Sequence, residues 1–434
     1  MASAGSGGMD RAEVVSRRER IARALDLKDE ILLVGAGEPV GIPGGMDQTY
    51  PFLSHAEYFY LADRECIGGV IAFDPKDGAK DGWRDFEPDV TEKERVWEGP
   101  REMVGESLSG LAGWLAARRG RQVVNLGSAI AGVRQDAVRA EAVREQFTHA
   151  RRPKSAVEIE RIRAAVRASE AGYKVLQQYL KPGVSERRMK IELEAEFFRN
   201  GADRTCYGSI VGVGSNAAVF HFTPGEKAAN AGDLVLVDAG AERGRYGCDI
   251  TRTYCVGTWE GVKRDLYLAV LNAEKRACEA CRAGVEYRDV HLGAALDMTR
   301  SLVEMGLMKG DPDSLVEQGA HLLFFPHGVG HFVGLGVRDA SGRLPGRPVH
   351  ADKRVSTLRC DLPLMPGYVL TIEPGLYIIP ALLDDPARRE KHKNHVAWER
   401  VEKLYGMGGV RIEDNILVTE GEPVNLTAGV VKEI

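Results

Sequence analysis

Apolar and polar positions follow two regimes along the chain. In the first 150 residues short apolar runs are interleaved with charged, helix-like stretches. Residues 11 to 27 predict a charged helix, and Glu30 to Gly35 predicts a strand leaving it. Gly68 to Pro75 reads as a second strand ending in a turn, and residues 107 to 119 as a helix. The Gly- and Pro-rich residues 37 to 51 read as a loop, and Asp77 to Trp97 as charged and irregular. Strand and helix signals in turn predict a compact α/β unit, without a cluster of catalytic residue types.

The basic segment Ala150-Arg-Arg-Pro-Lys-Ser155 breaks this pattern and divides the chain into domains 1–152 and 153–434. Ser155 can cap a long amphipathic helix together with Glu158, and Ile159, Ile162, Ala165 and Val166 supply its apolar stripe. Lys181 to Val184 stops that helix. Ser185 then opens another that runs to Arg199, with Gly201 as its stop. Strand signals gather afterwards at Ser209 to Gly212, Val219 to Phe222, Leu234 to Asp238 and Tyr246 to Val256. Two helices cover residues 260 to 306. Further strand-like runs are Leu322 to Phe325, Tyr368 to Glu373 and Val410 to Thr419. The second domain is therefore expected to be α+β, with helices packed on a curved, mainly antiparallel sheet.

A chain of 434 residues is too long for one core, consistent with two domains. Its hydrophobic content of 44% and charged content of 28% are those of a globular protein. A net charge of -5 gives no hint of the clustered basic footprint that a polynucleotide partner requires, and none is implied. No apolar run approaches the roughly 20 residues of a membrane span, and Met1 to Gly8 lacks the regions of a signal peptide. The seven cysteines, an odd number, then read as reduced, and a cytoplasmic location is expected. Cys278-x-x-Cys281 has no second pair and reads as a buried or half-exposed helix face. Gly212-x-Gly214 and Gly328-x-Gly330 lack the spacing of a dinucleotide fingerprint. His392 and His395 lie among Lys and Arg and read as solvated surface.

The chemistry gathers on the strands of the second domain. Asp238 ends the apolar run Leu234 to Val237, and alternation places Asp249, Thr251, Thr253 and Cys255 on one face of the next run. Two carboxylates thus sit at the inner ends of a wide hairpin. Burial disfavours ionised carboxylates, so such a pair needs a cation or a shared proton. His327-Gly-Val-Gly-His331 follows an apolar run, Glu373 closes a strand, and Glu413 shares with Arg411 the face opposite Val410 and Ile412. Four carboxylates and one or two histidines from separate strands are a candidate for two oxygen-rich divalent metal sites. Two divalent ions would cancel Asp238, Asp249, Glu373 and Glu413, with His331 neutral.

The blocks Val237-Asp-Ala-Gly, Asp249-Ile-Thr-Arg-Thr, His327-Gly-Val-Gly-His-Phe-Val-Gly-Leu, Thr371-Ile-Glu-Pro-Gly-Leu-Tyr and Gly409-Val-Arg-Ile-Glu-Asp-Asn together resemble the proline-specific metallopeptidases of the pita-bread fold, prolidase and aminopeptidase P. The resemblance covers about residues 153 to 434, and Pro51-Phe with Tyr58-Phe-Tyr-Leu is similar to the smaller domain preceding it in that family. It implies that Asp238 chelates one metal, that His331 and Glu373 hold the other, and that Asp249 and Glu413 bridge them. It makes His221 and His327 substrate-side histidines, Glu373 a proton relay, and Arg411 the residue that orients Glu413. Two divalent ions, manganese foremost and cobalt or zinc as substitutes, are the implied cofactors. A small Xaa-Pro peptide is the implied substrate and a homodimer the implied assembly.

The segment between the last two blocks looks more like prolidases than aminopeptidases P. Arg359, fourteen residues before Glu373, matches the position where prolidases place an arginine for the substrate carboxylate. The sequence therefore favours an Xaa-Pro dipeptidase, with an aminopeptidase P acting on longer peptides as the alternative. Three positions depart from the family pattern: Arg338 where a substrate-binding histidine is usual, Arg243 where many members have tyrosine, and Phe222 after His221. Arg338 is read either as a second carboxylate anchor or as a surface cation. A metal-free amidinohydrolase of the creatinase type and a non-catalytic pita-bread binding module are the rivals. The retained carboxylates and His331 argue against both.

Overall fold

A computed structural model describes residues 10–134, 136–344, 347 and 352–434. The chain divides between Arg151 and Arg152 into two compact units. In the first, a five-stranded sheet has the spatial order Glu106–Ser107, Trp83–Glu87, Val70–Phe73, Ile31–Gly35, Val123–Gly127. Its three central strands are antiparallel to one another and the two outer pairings are parallel. Ile31, Leu33, Val70, Ala72 and Phe86 form the core of one face. Helices Arg11–Ala24, Ala56–Ala62 and Ala137–Arg151 complete the unit.

Residues 77 to 97 are not irregular as expected. They hold the strand Trp83–Glu87 and the helix Glu92–Trp97, which begins in a capping box between Thr91 and Glu94. The alternation there was masked by charged residues on the half-open face, and cross-strand pairing with Val70–Phe73 overrides the weak local signal.

The second unit opens with helix Ala156–Leu176, whose Ser155 and Glu158 form the expected capping box. Its buried face includes Ile162, Ala165 and Val166, while Ile159 lies at the margin. Helix Glu186–Arg199 starts at the Ser185 cap. Strand Leu234–Asp238 lies between Ile210–Val213 and Thr251–Cys255, antiparallel to both, in a register that sets Asp238 opposite Ile210 and Thr251. After Asp238 the chain closes on Cys248. A Cβ at Gly240 would stand 1.9 Å from the Cys248 carbonyl oxygen, so only glycine allows that closure.

Across from this sheet, Val369–Ile372 pairs with Asp414–Leu417, and Gly375–Tyr377 pairs with Gly409–Arg411. The breaks between these pairings fall at Glu373 and Glu413, so both acids stand where a strand is interrupted. Glu413 is nevertheless bridged to Thr251, its N–H donating to the Thr251 carbonyl at 3.0 Å. Helices Gly261–Ala280 and Tyr287–Glu304 pack on each other and bury Leu266, Val270, Met298 and Leu302 in one core with Ile372, Ile412 and Ile416. Cys278 and Cys281 are buried in that helical layer. Among the described residues no helix is long and apolar enough to cross a membrane.

Two expected strands are absent. Residues 219 to 222 form a turn after the 3-10 helix Gly214–Ala218, and Phe220 packs edge-on against His327 and Tyr377 rather than in a sheet. Residues 322 to 325 continue the 3-10 helix Ala320–Leu323, with the Phe324 and Phe325 N–H groups both donating to the His321 carbonyl. Four consecutive apolar residues suit either a strand or a buried helical turn, and Gly319 in the left-handed region at φ 71° starts the turn. His392 is buried, not solvated, and packs beside the ring of His395. Burial pushes its pKa down to about 4.

Candidate metal centre and substrate cavity

A cavity of about 990 Å³ opens in the second unit, lined among others by His221, His327, His331, Arg338, Arg359, Glu373, Arg411, Glu413, Asp238 and Asp249. All ten residues singled out from the sequence thus border one space. Arg243 does not. Its guanidinium instead bonds the Gly201 carbonyl and Asp203 at the surface.

The strand ends aim the carboxylates inwards. His331 is fixed first: its N–H donates to Thr371 Oγ1 at 3.0 Å, and its Nδ1 meets the Phe332 carbonyl at 3.0 Å. A carbonyl only accepts, so Nδ1 carries the hydrogen and Nε2 faces the acids. Nε2 lies 3.4 Å from Asp249 Oδ2 and 3.8 Å from Glu373 Oε1. Lone pair against carboxylate is repulsive unless a proton or a metal ion stands between them. Gly330 permits this approach, because a Cβ there would meet the Thr371 carbonyl oxygen at 2.1 Å.

Glu413 is 1% exposed. Its Oε2 accepts from Thr251 Oγ1 at 2.7 Å, while Oε1 is buried without a partner among the described residues. An orphaned buried carboxylate oxygen costs on the order of 1–3 kcal/mol, and more when charged. One ligand atom each from Asp249, His331 and Glu413 lies within 4.8 Å of the others, the spacing of a cation site. Burial pushes Glu413 far above the carboxylate range, with Asp249, Glu373 and Asp238 adding to the shift. Burial also raises Glu373, against the opposing pull of His331 and Arg411. Asp238 is pushed up to about 7 by burial, with Arg411 opposing. Asp249 alone is lowered: burial raises it, but the charge of a protonated His331, with Tyr207 and Arg411, outweighs that. Three carboxyls pushed towards protonation around one that stays ionised fit divalent cations.

Arg411 has a different first partner from the expected one. Its Nη2 donates to Asp238 Oδ2 at 2.5 Å, its Nη1 to the Tyr377 hydroxyl at 2.9 Å, and its Nε to Thr251 Oγ1 at 3.1 Å. Arg411 therefore reaches Glu413 only through Thr251. Tyr207 lies 2.6 Å from Asp238 Oδ1 and 2.5 Å from Asp249 Oδ1, and its single hydrogen can serve one of them at a time. Both oxygens of Asp238 thus have protein partners, each keeping a second lone pair for a metal.

His327 is held on both nitrogens, Nδ1 by the Gly328 carbonyl at 2.8 Å and Nε2 by the Tyr377 hydroxyl at 2.9 Å. Burial, helped by Arg411, pushes it down to about 3, so it stays neutral. His221 is exposed on the turn after the 3-10 helix. Arg338 and Arg359 are both exposed into the cavity. The pKa of Arg359 is lowered by burial and by Arg338 beside it. Tyr207, Tyr377 and Lys190 also line or brace the cavity and escaped the sequence reading, because isolated side chains carry no periodic signal.

Residues 160–420 match the family model described as metallopeptidase family M24. The chain belongs to metallopeptidase family M24. Among M24 relatives, the Xaa-Pro dipeptidase of Shewanella amazonensis is 36% identical over 281 residues, which are 63% of this chain and 62% of that protein. The Xaa-Pro aminopeptidase of Escherichia coli is 36% identical over 281 residues, 64% of this chain and 57% of that one. The match thus spans about three fifths of the length of these curated relatives. Proline aminopeptidase P II from Yersinia pestis superposes with a TM-score of 0.78 at 26% identity, covering 98% of both chains. The two facing sheet halves with their helical layer are the pita-bread fold of M24.

Proposed function

We propose that the protein is an Xaa-Pro dipeptidase, hydrolysing the bond before a C-terminal proline. The observation that carries this reading is the convergence of four carboxylates and His331 in a cavity that also holds Arg338 and Arg359. Asp238, Asp249, His331, Glu373 and Glu413 would hold two divalent cations, manganese in this reading with cobalt or zinc able to substitute. When bound, such a pair polarises the scissile carbonyl and makes water acidic enough to attack near neutral pH.

The chain's own groups do the rest. Proline leaves a tertiary amide without N–H, so recognition falls on ring shape and on the charges at the substrate's ends. Arg359 receives the terminal carboxylate in the fork of its guanidinium, and Arg338 adds a second cation beside it. His221, exposed at the cavity, donates to the oxygen that becomes negative. Neutral His327 walls the substrate side, with Tyr377 holding it from behind. Glu373, partly open to the cavity, passes a proton to the leaving proline nitrogen.

Aminopeptidase activity on longer peptides is the second reading, because the cavity is larger than a dipeptide and relatives of both names occur. The domain limits 1–152 and 153–434, a homodimer and a cytoplasmic location complete the proposal. Metal-stripped protein reloaded with manganese should cleave Xaa-Pro and leave Xaa-Pro-Yaa intact. Cleavage of the longer peptide at its first bond would move the activity to aminopeptidase P. Loss of both would leave a peptide-binding module.

A further inference from the structure

His291 sits on helix Tyr287–Glu304, outside the cavity lining, and is fully buried. Its Nε2 lies 2.9 Å from the carbonyl of Arg354, while Nδ1 has no hydrogen-bond partner among the described residues. A carbonyl only accepts, so Nε2 carries the hydrogen and donates. The imidazole ring packs on Phe325 at 5.3 Å between centroids, and Phe325 packs edge-on against His327 at 4.9 Å. A phenylalanine would fill this apolar place without stranding a nitrogen. The Nε2 bond is what a histidine adds.

The receiving segment, residues 352 to 359, is a series of turns that ends in Arg359. Val355 donates to the Asp352 carbonyl and Leu358 to the Val355 carbonyl, and the Arg354 side chain folds back onto Asp352. These bonds are internal to the turn and do not set where it stands. Val355 and Leu358 anchor it through apolar contact in the main core, and the Thr357 carbonyl approaches Gly328, next to His327. Apolar contact has no direction, whereas the bond from His291 fixes the height and rotation of the turn five residues before Arg359.

We propose that His291 is a positioning residue for substrate-length recognition, its Nε2–H holding the 352–358 turn so that Arg359 meets the carboxylate of a dipeptide. This rests on the reading of Arg359 as the carboxylate reader, and the test separates the two ideas. Full-length protein loaded with manganese is assayed on Xaa-Pro and on Xaa-Pro amide, as wild type, His291→Phe, His291→Gln, Arg359→Ala and the His291→Phe/Arg359→Ala double variant. Glutamine carries its amide nitrogen close to where Nε2 stands.

His291→Phe should raise KM for Xaa-Pro about tenfold with kcat within about twofold, the loss expected for one directed bond. KM for the amide should not move. His291→Gln should restore most of the loss, and His291→Phe should add nothing in the Arg359→Ala background. A His291→Phe effect equal on acid and amide, or absent from both, overturns the role of His291. Arg359→Ala failing to distinguish acid from amide overturns the carboxylate reading itself, and the role of His291 with it.

Discussion

Arg411 and Asp238 meet at 2.5 Å, guanidinium to carboxylate, although 173 residues separate them in sequence. The contact ties strand Gly409–Arg411 of one sheet half to the end of strand Leu234–Asp238 in the other. One fork thus braces Asp238, Tyr377 and Thr251 together, and through Thr251 it reaches Glu413.

Replacing Arg411 tests that brace. Arg411→Met should weaken divalent metal binding by about 10–100-fold, the usual effect of losing a group that orients a ligand. Arg411→Lys should recover only part of it, because an ammonium keeps the charge but cannot make three bonds in one plane. Titration of metal-stripped protein with manganese, followed calorimetrically, gives the affinities. Equal affinity for Arg411→Met and wild type would show that Asp238 needs no brace.

Arg359→Ala should raise KM for Xaa-Pro by about 10–100-fold, the loss of a charge-assisted pair worth about 1.5–3 kcal/mol. A substrate with a blocked carboxyl terminus should be cleaved as by wild type. Steady-state kinetics on the two substrates decides it, and parallel losses would remove the carboxylate assignment.

His321 gives a pH prediction. It is buried with neither ring nitrogen hydrogen-bonded among the described residues, and burial pushes its pKa down to about 3. A depressed folded pKa means the unfolded chain takes up a proton first as pH falls below about 6.5. Stability is therefore whole above that pH and declines towards pH 3, by about 1.4 kcal/mol per unit for this one proton. His321→Leu should flatten the decline by that slope between pH 4 and 6, as urea unfolding at successive pH values would measure. An unchanged slope would mean that His321 is not buried neutral.

Lys432 clamps two fully buried acids, Glu274 of helix Gly261–Ala280 and Asp414 next to Glu413, and Arg252 bonds Asp414 from the other side at 2.7 Å. Burial pushes Glu274 up to about 7, and the neighbouring Asp414 adds to it. Lys432→Met would leave that carboxyl without its cation, a change that costs about 3–5 kcal/mol for a broken buried pair. Adding Glu274→Gln should return much of the loss. Chemical denaturation of the single and double variants checks both steps, and additive losses would contradict the coupling.

Much of this design was legible in the chain. Asp238, Asp249, His331, Glu373 and Glu413 stood out because a strand side chain has a period of two: one acid at a strand end is more often a turn cap, but a set of this size on apolar strands calls for a cation. The Ser155 and Ser185 helix starts were equally plain, since capping is decided within four residues. Local sequence determined these features because their physics is local.

The rest was decided by contacts between residues far apart. Apolar runs at 219–222 and 322–325 are turns here because packing on His327 and on the helical core outweighs a strand preference that four residues express only weakly. Tyr207 and Tyr377 gained their places from Asp238, Asp249 and Arg411, none of them near in sequence. Arg411 chose Asp238 over Glu413, and His291 found Arg354, for the same reason. The sequence by itself determined which side chains face inwards; only the closing of the two sheet halves decided which of them meet, because hydrogen bonds depend on ångström-scale geometry that no pattern along one chain encodes.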